Sequence, residues 1–376
     1  MKKLVIPVLL ALLAGAAFGQ TPQPEKISQS EYVRMLYAVE SGSMSKSDLI
    51  EQIRKRGIGF EMNSGLRSLT ASKSGNDSEV RRTVEEASRR LQNPEAARLP
   101  SPEEASRVLG NARDAALAAV GEMPDFVVKQ RIRRSVAFAG TGNFQSRDHL
   151  IVAVSYRASG QEEYELLSVN GVRQTDTKPK GNYSQVGGTS STGEFVSVLE
   201  TVFKPESETL FDVIDTDVVR ERRTIVFEYI ITRDKARQQI TSYAILPDST
   251  ITGMKGRVWI DRENFRVLKL ESIATEIPSG FPVTAASRMI DYEWVKISDE
   301  PYLLPSQSDV RLTFRQGKES YESRNLIQFR DYQKFGTEVI ITDEDDIVIP
   351  EDEETPVTRK DGDDSIPPPP PPPPGE

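Results

Sequence analysis

The single histidine of this 376-residue chain, His149, is the first residue to test for catalysis. A nucleophile–histidine–acid triad would need it, and Asp148 stands beside it. No Gly-x-Ser-x-Gly turn accompanies the pair, so a position at the edge of a strand is the favoured interpretation. The chain has no Cys, which excludes disulfides, thiolate nucleophiles and Cys-ligated metal clusters. We therefore predict a protein that is not an enzyme and has no cofactor or metal, with a hydrolase dependent on His149 as the remaining alternative.

Three short motifs resemble functional ones but lack their context. Residues 43–46 have the Ser-x-x-Lys spacing of penicillin-recognising enzymes without the companion Ser-Asp-Asn and Lys-Thr-Gly elements. Residues 140–145 lack the third glycine of a dinucleotide fingerprint. The acidic runs 343–346 and 351–354 lack the spaced ligands and central Gly of a calcium loop. We interpret residues 43–46 as the lead-in to a helix and residues 140–145 as a hairpin loop. The acidic runs are interpreted as sites that attract counter-ions loosely.

The formal net charge of −9 is concentrated at one end of the chain. Residues 343–376 hold twelve acidic side chains against two basic ones, a net charge of −10. Lys2 and Lys3 contribute +2, so the stretch between carries about −1. This acidity argues against nucleic acid as a partner, because nucleic-acid binding favours a basic surface.

The N-terminus has the three parts of a secretory signal. A basic start at Lys2 and Lys3 precedes an apolar run over residues 4–13, and small residues at Ala17 and Gly19 predict cleavage before Gln20. The apolar run is too short to span about 30 Å of hydrocarbon. We predict an exported protein of the periplasm that does not span the membrane after signal removal, with secretion as the alternative.

Helical patterns fill residues 27–120. Ser47 is a predicted N-cap, and Gly57, after three cations, is a predicted helix end. Residues 101–104 combine an N-cap serine, a Pro at the first helical position and a Glu three residues in, and the helix that follows should stop at Gly121.

From Asp125 onward, apolar and polar residues alternate with a period of two, which is typical of strands. The strand-like segments are residues 150–156, 163–169, 224–231, 239–246, 256–261, 265–271, 290–297, 310–315 and 326–332. Turn signals such as Asn170-Gly171 separate them. Helices first and an antiparallel sheet after predict the α+β class.

The C-terminal residues predict a solvated tail. The acidic stretch ends in eight consecutive prolines, Pro367 to Pro374, a composition that forms polyproline II and cannot join a core. The predicted domains are a signal peptide (1–19), a small helical module (20–92), a linker and helix (93–124), a sheet domain (125–342) and this disordered tail (343–376).

Several turn and strand motifs resemble those of the lipoprotein-carrier superfamily, the periplasmic outer-membrane lipoprotein-sorting proteins and their relatives among envelope-stress regulators. These motifs are residues 243–246, 256–261 and 265–270. Residues 277–282, 302–305 and 329–335, with 193–195 ahead of 202–205, resemble a group of uncharacterised exported bacterial proteins associated with the same fold. The resemblance covers roughly residues 125–342. It implies a strongly curved antiparallel half-barrel whose concave apolar face is closed by helices and shelters acyl chains.

Together these features predict a non-enzymatic periplasmic protein that binds a hydrophobic ligand, an acyl chain or a lipoprotein, in the half-barrel. The predicted cavity-lining residues face inward and are apolar or aromatic: Phe227, Tyr229, Val258, Leu268, Tyr292, Trp294, Leu312 and Phe314. The alternative is a structural or regulatory interaction module of the envelope with a solid core, which contacts a partner protein through the helical module or the tail.

Overall fold

The computed structural model describes residues 25–94, 98–174, 187–242 and 248–335. The chain divides into two compact units, Met1–Asn93 and Pro94–Glu376. The predicted signal peptide and the acidic polyproline tail lie outside the described residues. No helix within the described ranges is long and apolar enough to cross a membrane.

Residues 25–93, the described part of the first unit, form four helices, each started by a side-chain cap. They are α1 (Gln29–Glu40), α2 (Lys46–Arg56), α3 (Ser64–Lys73) and α4 (Ser78–Gln92). Their apolar faces share one core, in which the buried Tyr32 hydroxyl lies 2.7 Å from the Thr70 hydroxyl. A bridge between Ile27 and Ile58 ties the segment before α1 to the segment after α2.

Helix α2 begins two residues earlier than predicted. Ser45, rather than Ser47, is the N-cap, because its hydroxyl accepts from the Asp48 amide while the Asp48 carboxylate accepts from the Ser45 amide. Residues 43–46 are thus the lead-in to a helix, as predicted. Gly57 ends the helix at φ 68°, a conformation that favours glycine, so the predicted stop is confirmed.

The second unit opens with α5 (Pro102–Gly121). The Ser101 hydroxyl accepts from the Glu104 amide, and the helix ends at the predicted Gly121. Two short helices follow later in the chain, α6 (Ser197–Phe203) and α7 (Arg233–Ala236).

The described residues of this unit form twelve strands, and the antiparallel sheet predicted from the alternation is confirmed. The strands are β1 (Phe126–Phe138), β2 (Gln145–Tyr156), β3 (Glu162–Val169), β4 (Val172–Arg173), β5 (Leu210–Val219), β6 (Arg222–Ile231), β7 (Gln238–Ser242), β8 (Asp248–Asp261), β9 (Val267–Thr275), β10 (Val283–Ile297), β11 (Glu300–Gln316) and β12 (Glu319–Lys334). Residues 140–142 lie in the β1–β2 hairpin loop, as expected.

The sheet is curved and open, in the order β4-β3-β2-β1-β12-β11-β10-β9-β8-β6-β5. Strand β7 continues along β8 from the point where the pairing of β6 ends. The pairing of β1 with β12 brings the first strand of the sheet beside the last, so the middle of the sheet joins distant parts of the sequence. Helices followed by this sheet confirm the α+β class.

One face of the sheet carries most of the apolar core, and we call it the inner face. Helices α5 and α6 pack on it beside β6, β8, β9 and β10. A second apolar cluster on the same face joins β1, β2, β11 and β12 with Phe195 and Val196. The chain therefore closes part of its own sheet face with helices, as the two-layer α+β arrangement requires.

Candidate functional site

Helix α5 is fixed over the inner face by polar contacts at both ends of its packed surface. The Glu104 carboxylate in its first turn lies 2.6 Å from the Arg262 guanidinium, in the turn after β8. The Arg266 guanidinium, past the same turn, donates to the Ala115 carbonyl at 3.0 Å. Between them, Val108 and Ala112 are fully buried against the sheet.

The turn that receives these contacts is itself organised by Asp261. Its carboxylate accepts from the amides of Glu263 and Asn264 and pairs twice with Arg222, at 2.6 and 3.1 Å. Burial alone would raise the pKa of Asp261, but the Arg222 pair and the turn amides outweigh burial and hold it below its ordinary value. Asp261 therefore has a structural role: it organises the turn between β8 and β9.

Four of the eight predicted cavity-lining residues come together under α5 and α6. Phe227, Tyr229, Val258 and Tyr292 are each at most 2% exposed and belong to one packed cluster with the two helices. The Tyr229 hydroxyl donates to the Glu271 carbonyl at 2.8 Å. These side chains contact the chain's own helices.

Leu312 and Phe314 are placed elsewhere. Both are half-buried in a separate apolar cluster with Phe281, Val283 and Ile240. They lie toward the end of β11, where it pairs with Val283 at the start of β10.

Two candidates depart from simple alternation, and irregular pairing explains the first of them. Leu268 is buried, but it is the residue skipped where the β8–β9 pairing shifts, so it lies outside the cluster under α5. Trp294 is 52% exposed, so the prediction that it faces inward is wrong. On β10 the inward-facing residues switch from even to odd positions. Tyr292 packs in the cluster under α5, whereas Val295 and Ile297 pack in the second apolar cluster.

A line of polar side chains crosses the inner face, and the sequence analysis did not identify it. Register places Arg134 of β1 opposite Asn325 of β12, Asn325 opposite Val310 of β11, and Val310 opposite Arg288 of β10. We call Arg134, Asn325 and Arg288 the polar row. The Arg134 and Asn325 side chains are at most 2% exposed. Only the paired strands reveal the row, because its members lie far apart in the sequence.

Residues 187–196, which we call the strap, lie along this row. Arg134 donates to the Gly187 carbonyl, Asn325 to the Thr189 carbonyl at 2.8 Å, and Arg288 to the Thr192 carbonyl at 2.9 Å. Beyond these contacts the strap enters the second apolar cluster through Phe195. The Phe195 ring lies 5.3 Å from that of Phe126 and 5.4 Å from that of Phe329, both edge to face.

Two carboxylates, one buried and one half-buried, lie where the strap meets the sheet. Glu194 is fully buried, bonded to the Ser191 hydroxyl and 3.6 Å from Arg288. Glu162 accepts from the Gly193 amide at 3.1 Å and from the Tyr164 hydroxyl. Burial raises the pKa of Glu162 above its ordinary value, and the neighbouring Glu194 charge acts in the same direction.

Several buried polar atoms nearby have no hydrogen-bond partner among the described residues. They are the Tyr292 hydroxyl, the second carboxylate oxygen of Glu194, the Gln130 side-chain amide and the Ser308 hydroxyl. Leaving such a group unsatisfied costs about 1–3 kcal/mol. Ordered water or a ligand can satisfy groups of this kind in a folded protein.

Asp148 and His149, the pair considered for catalysis, have a structural arrangement. The Asp148 carboxylate makes two hydrogen bonds of 2.6 Å to the Arg134 guanidinium, so it is directed at the polar row. His149 lies opposite Arg133 in the β1–β2 pairing, and its backbone amide donates to the Asn170 side chain.

Comparison with known proteins yields only remote likenesses. No protein-family model and no curated protein matches the chain. A DUF1329 family protein from Desulfovibrio piger is similar over 61% of this chain and 95% of its own, with 9% identity and a TM-score of 0.28. The Pseudomonas aeruginosa MucA/MucB complex matches over 58% of this chain and 94% of that chain, with 10% identity and a TM-score of 0.17. Lipovitellin matches over 58% of this chain and 26% of its own, with 10% identity and a TM-score of 0.24. Because these TM-scores are below 0.5, the functional argument rests on the chain's own geometry.

Proposed function

We propose that this protein is a non-enzymatic interaction module of the bacterial envelope, with the sheet as a solid core. The observation that supports this most directly is the packing of α5 and α6 on the inner face. Phe227, Tyr229, Val258 and Tyr292 are buried by the chain itself, so an acyl chain would have to displace helices to reach them. Export by the N-terminal signal would bring the protein to the periplasm.

In this proposal the contacts with a partner protein are made by the helical unit or the acidic tail. The tail's net charge of −10 stands apart from a nearly neutral body, which fits an appendage that meets a basic surface. The partner is therefore a protein of the envelope with a basic region.

Crosslinking in cells tests this function. The mature protein should be crosslinked to a defined partner. If the tail makes the contact, the crosslinked partner should be lost when residues 343–376 are deleted. A control deletion of residues 367–376 keeps most of the acidic side chains and separates the charge from the proline run. If the full mature chain captures no protein, the proposal fails.

A second function, binding of an acyl chain, is supported by one observation. Leu312 and Phe314 are only half-buried on a sheet that is otherwise well covered, and they adjoin buried apolar residues. An apolar ligand could gain about 25 cal/mol per Å² of surface buried there, before the costs of association. A fluorescent fatty acid should then bind the mature protein, and Phe314→Asp should weaken binding while Trp294→Asp does not. Equal effects of the two variants would argue against this site.

A further inference from the structure

Two glutamates meet at Gly193 of the strap. The Glu162 carboxylate, on β3, accepts from the Gly193 amide at 3.1 Å, and Glu194 is the next residue of the strap. Glu162 is half-buried and Glu194 is fully buried. The two carboxylates are close enough for the charge of Glu194 to act on Glu162. Two negative charges are therefore brought together in a place that is largely removed from water.

Each of these carboxylates has one oxygen that makes the contacts and one that does not. The Gly193 amide and the Tyr164 hydroxyl both donate to Oε2 of Glu162, so Oε1 accepts neither of these bonds. In Glu194, Oε1 lies 3.6 Å from the Arg288 guanidinium. The buried Oε2 of Glu194 has no hydrogen-bond partner among the described residues. A protonated carboxyl group is a donor, so a proton on Glu162 Oε1 would supply the bond that Glu194 Oε2 lacks.

The charges around the pair favour uptake of one proton. Within the described ranges, Arg288 of β10 is the one cation that forms an ion pair with either carboxylate. One cation does not balance two carboxylates that are held together away from water, and such a pair tends to share a proton. The other titratable groups near the pair are hydroxyls or acids, and none of them adds a positive charge: Tyr164 on β3, Tyr156 on β2 with Asp125 and Glu200 of α6 beyond it, Tyr292 on β10 and Tyr332 on β12.

Glu162 is the member of the pair that takes the proton. Burial is the main cause that raises the pKa of Glu162, and the Glu194 charge raises it further. The bonds from Tyr164 and Gly193 and the charge of Arg288 act against this rise without outweighing it. Glu194, by contrast, has Arg288 as its direct counter-ion.

We propose that Glu162 and Glu194 form a proton-binding site, in which a proton on Glu162 Oε1 is donated to Glu194 Oε2 and ties β3 to the strap. The proton comes from solvent, and no bond between heavy atoms changes. The bond exists only in the protonated form, so the contact between β3 and the strap strengthens as the pH falls. Asp261 has the opposite dependence, because its carboxylate stabilises the fold when it is ionised. The site belongs to the sheet unit and does not depend on the proposed function.

Carboxyl carbon NMR of the full mature chain, labelled at glutamate, detects this proton. Wild type should contain a glutamate that titrates above the ordinary pKa of about 4.3. Glu162→Gln should remove that titration, whereas Glu165→Gln, at an exposed position of the same strand, should leave it unchanged. Glu194→Gln should move the titration to lower pH, because it removes the repelling charge.

Urea unfolding measures the effect of the proton on stability. The raised pKa of Glu162 means that the folded chain binds the proton at a higher pH than the unfolded chain, so the contribution of this site to stability grows as the pH falls toward about 4.3. Glu162→Gln is neutral at every pH. Its urea midpoint should therefore exceed that of wild type most at about pH 8 and approach it at about pH 4.5, while Glu165→Gln follows wild type throughout.

The inference fails if no glutamate of wild type titrates above the ordinary range, or if the raised titration survives Glu162→Gln. A difference in urea midpoint that is the same at both pH values would also refute it, since a merely structural contact of Glu162 does not depend on pH. If Glu162→Gln does not fold, Glu194→Gln decides the matter: a raised titration that this variant leaves in place overturns the pair.

Discussion

Arg134 and Asp148 lie directly opposite each other on β1 and β2, and two hydrogen bonds of 2.6 Å join the guanidinium to the carboxylate. The Arg134 side chain is only 2% exposed, so the pair is almost fully removed from water. It positions the guanidinium that also binds the strap at Gly187. The Arg134–Asp148 pair therefore also connects the sheet to the strap, through the bond from Arg134 to the Gly187 carbonyl.

Removing the carboxylate of this pair should destabilise the sheet unit strongly. Asp148→Ala leaves the Arg134 charge buried without its partner, so we expect the free energy of unfolding to fall by about 3–5 kcal/mol. Urea unfolding followed by circular dichroism measures this. Lys235→Ala is the control, because water screens its pair with the 68%-exposed Glu208 side chain and the loss should be much smaller. Equal losses in the two variants would contradict the assigned burial.

Two buried tyrosines should respond in opposite ways to loss of the hydroxyl. Tyr229→Phe removes a hydrogen bond to the Glu271 carbonyl and should cost about 1 kcal/mol. Tyr292→Phe removes a hydroxyl that has no hydrogen-bond partner in the described part of the chain, so it should be neutral or slightly stabilising. Thermal and urea unfolding of the two variants provide the comparison. A clear loss in Tyr292→Phe would mean that its hydroxyl is satisfied in solution.

The predicted site residues should separate sharply in their effect on stability. Phe227→Ala creates a cavity under α5 and should cost about 3–5 kcal/mol of unfolding free energy. Trp294→Ala removes a side chain that is 52% exposed and should cost about 1 kcal/mol or less. The same urea titration measures both. Similar costs would show that Trp294 packs inward after all.

Acid should weaken the turn that supports α5. The pKa of Asp261 is below its ordinary value in the folded chain, so its contribution to stability is present above about pH 4 and is lost as the pH falls through the folded pKa. Asp261→Asn lacks this contribution, so the stability difference from wild type should be largest near pH 7 and shrink below pH 4. Urea unfolding at pH 7, 4 and 3 gives the comparison. A difference that is constant with pH would contradict the ionic role of Asp261.

Local rules predicted the elements of this fold better than the site. Alternation identified the antiparallel sheet, because a half-buried strand imposes a two-residue period on its sequence. The same rule misplaced Trp294, since the inward phase changes along β10 in a way that no residue type signals. Strands β1, β4 and β5 and the short helices α6 and α7 were not predicted.

The polar row could not be read from the sequence at all. Its members become neighbours only through the pairing of β1 with β12 and of β11 with its two partners. An arginine in an alternating strand is most simply interpreted as solvent-facing, and Arg134 is nevertheless buried because the strap and Asp148 satisfy its donors. The Gly/Ser/Thr composition of residues 187–193 was the one available signal, and it suggests a linker before it suggests a bound segment.

The most direct test of the solid-core account is native mass spectrometry of the mature protein, purified gently from the envelope and then exposed to a fatty acyl probe. The account predicts a single mass equal to that of the polypeptide, with no co-purified lipid and no uptake of the probe. A spectrum in which a lipid accompanies the protein stoichiometrically, and leaves only when the chain unfolds, would contradict it.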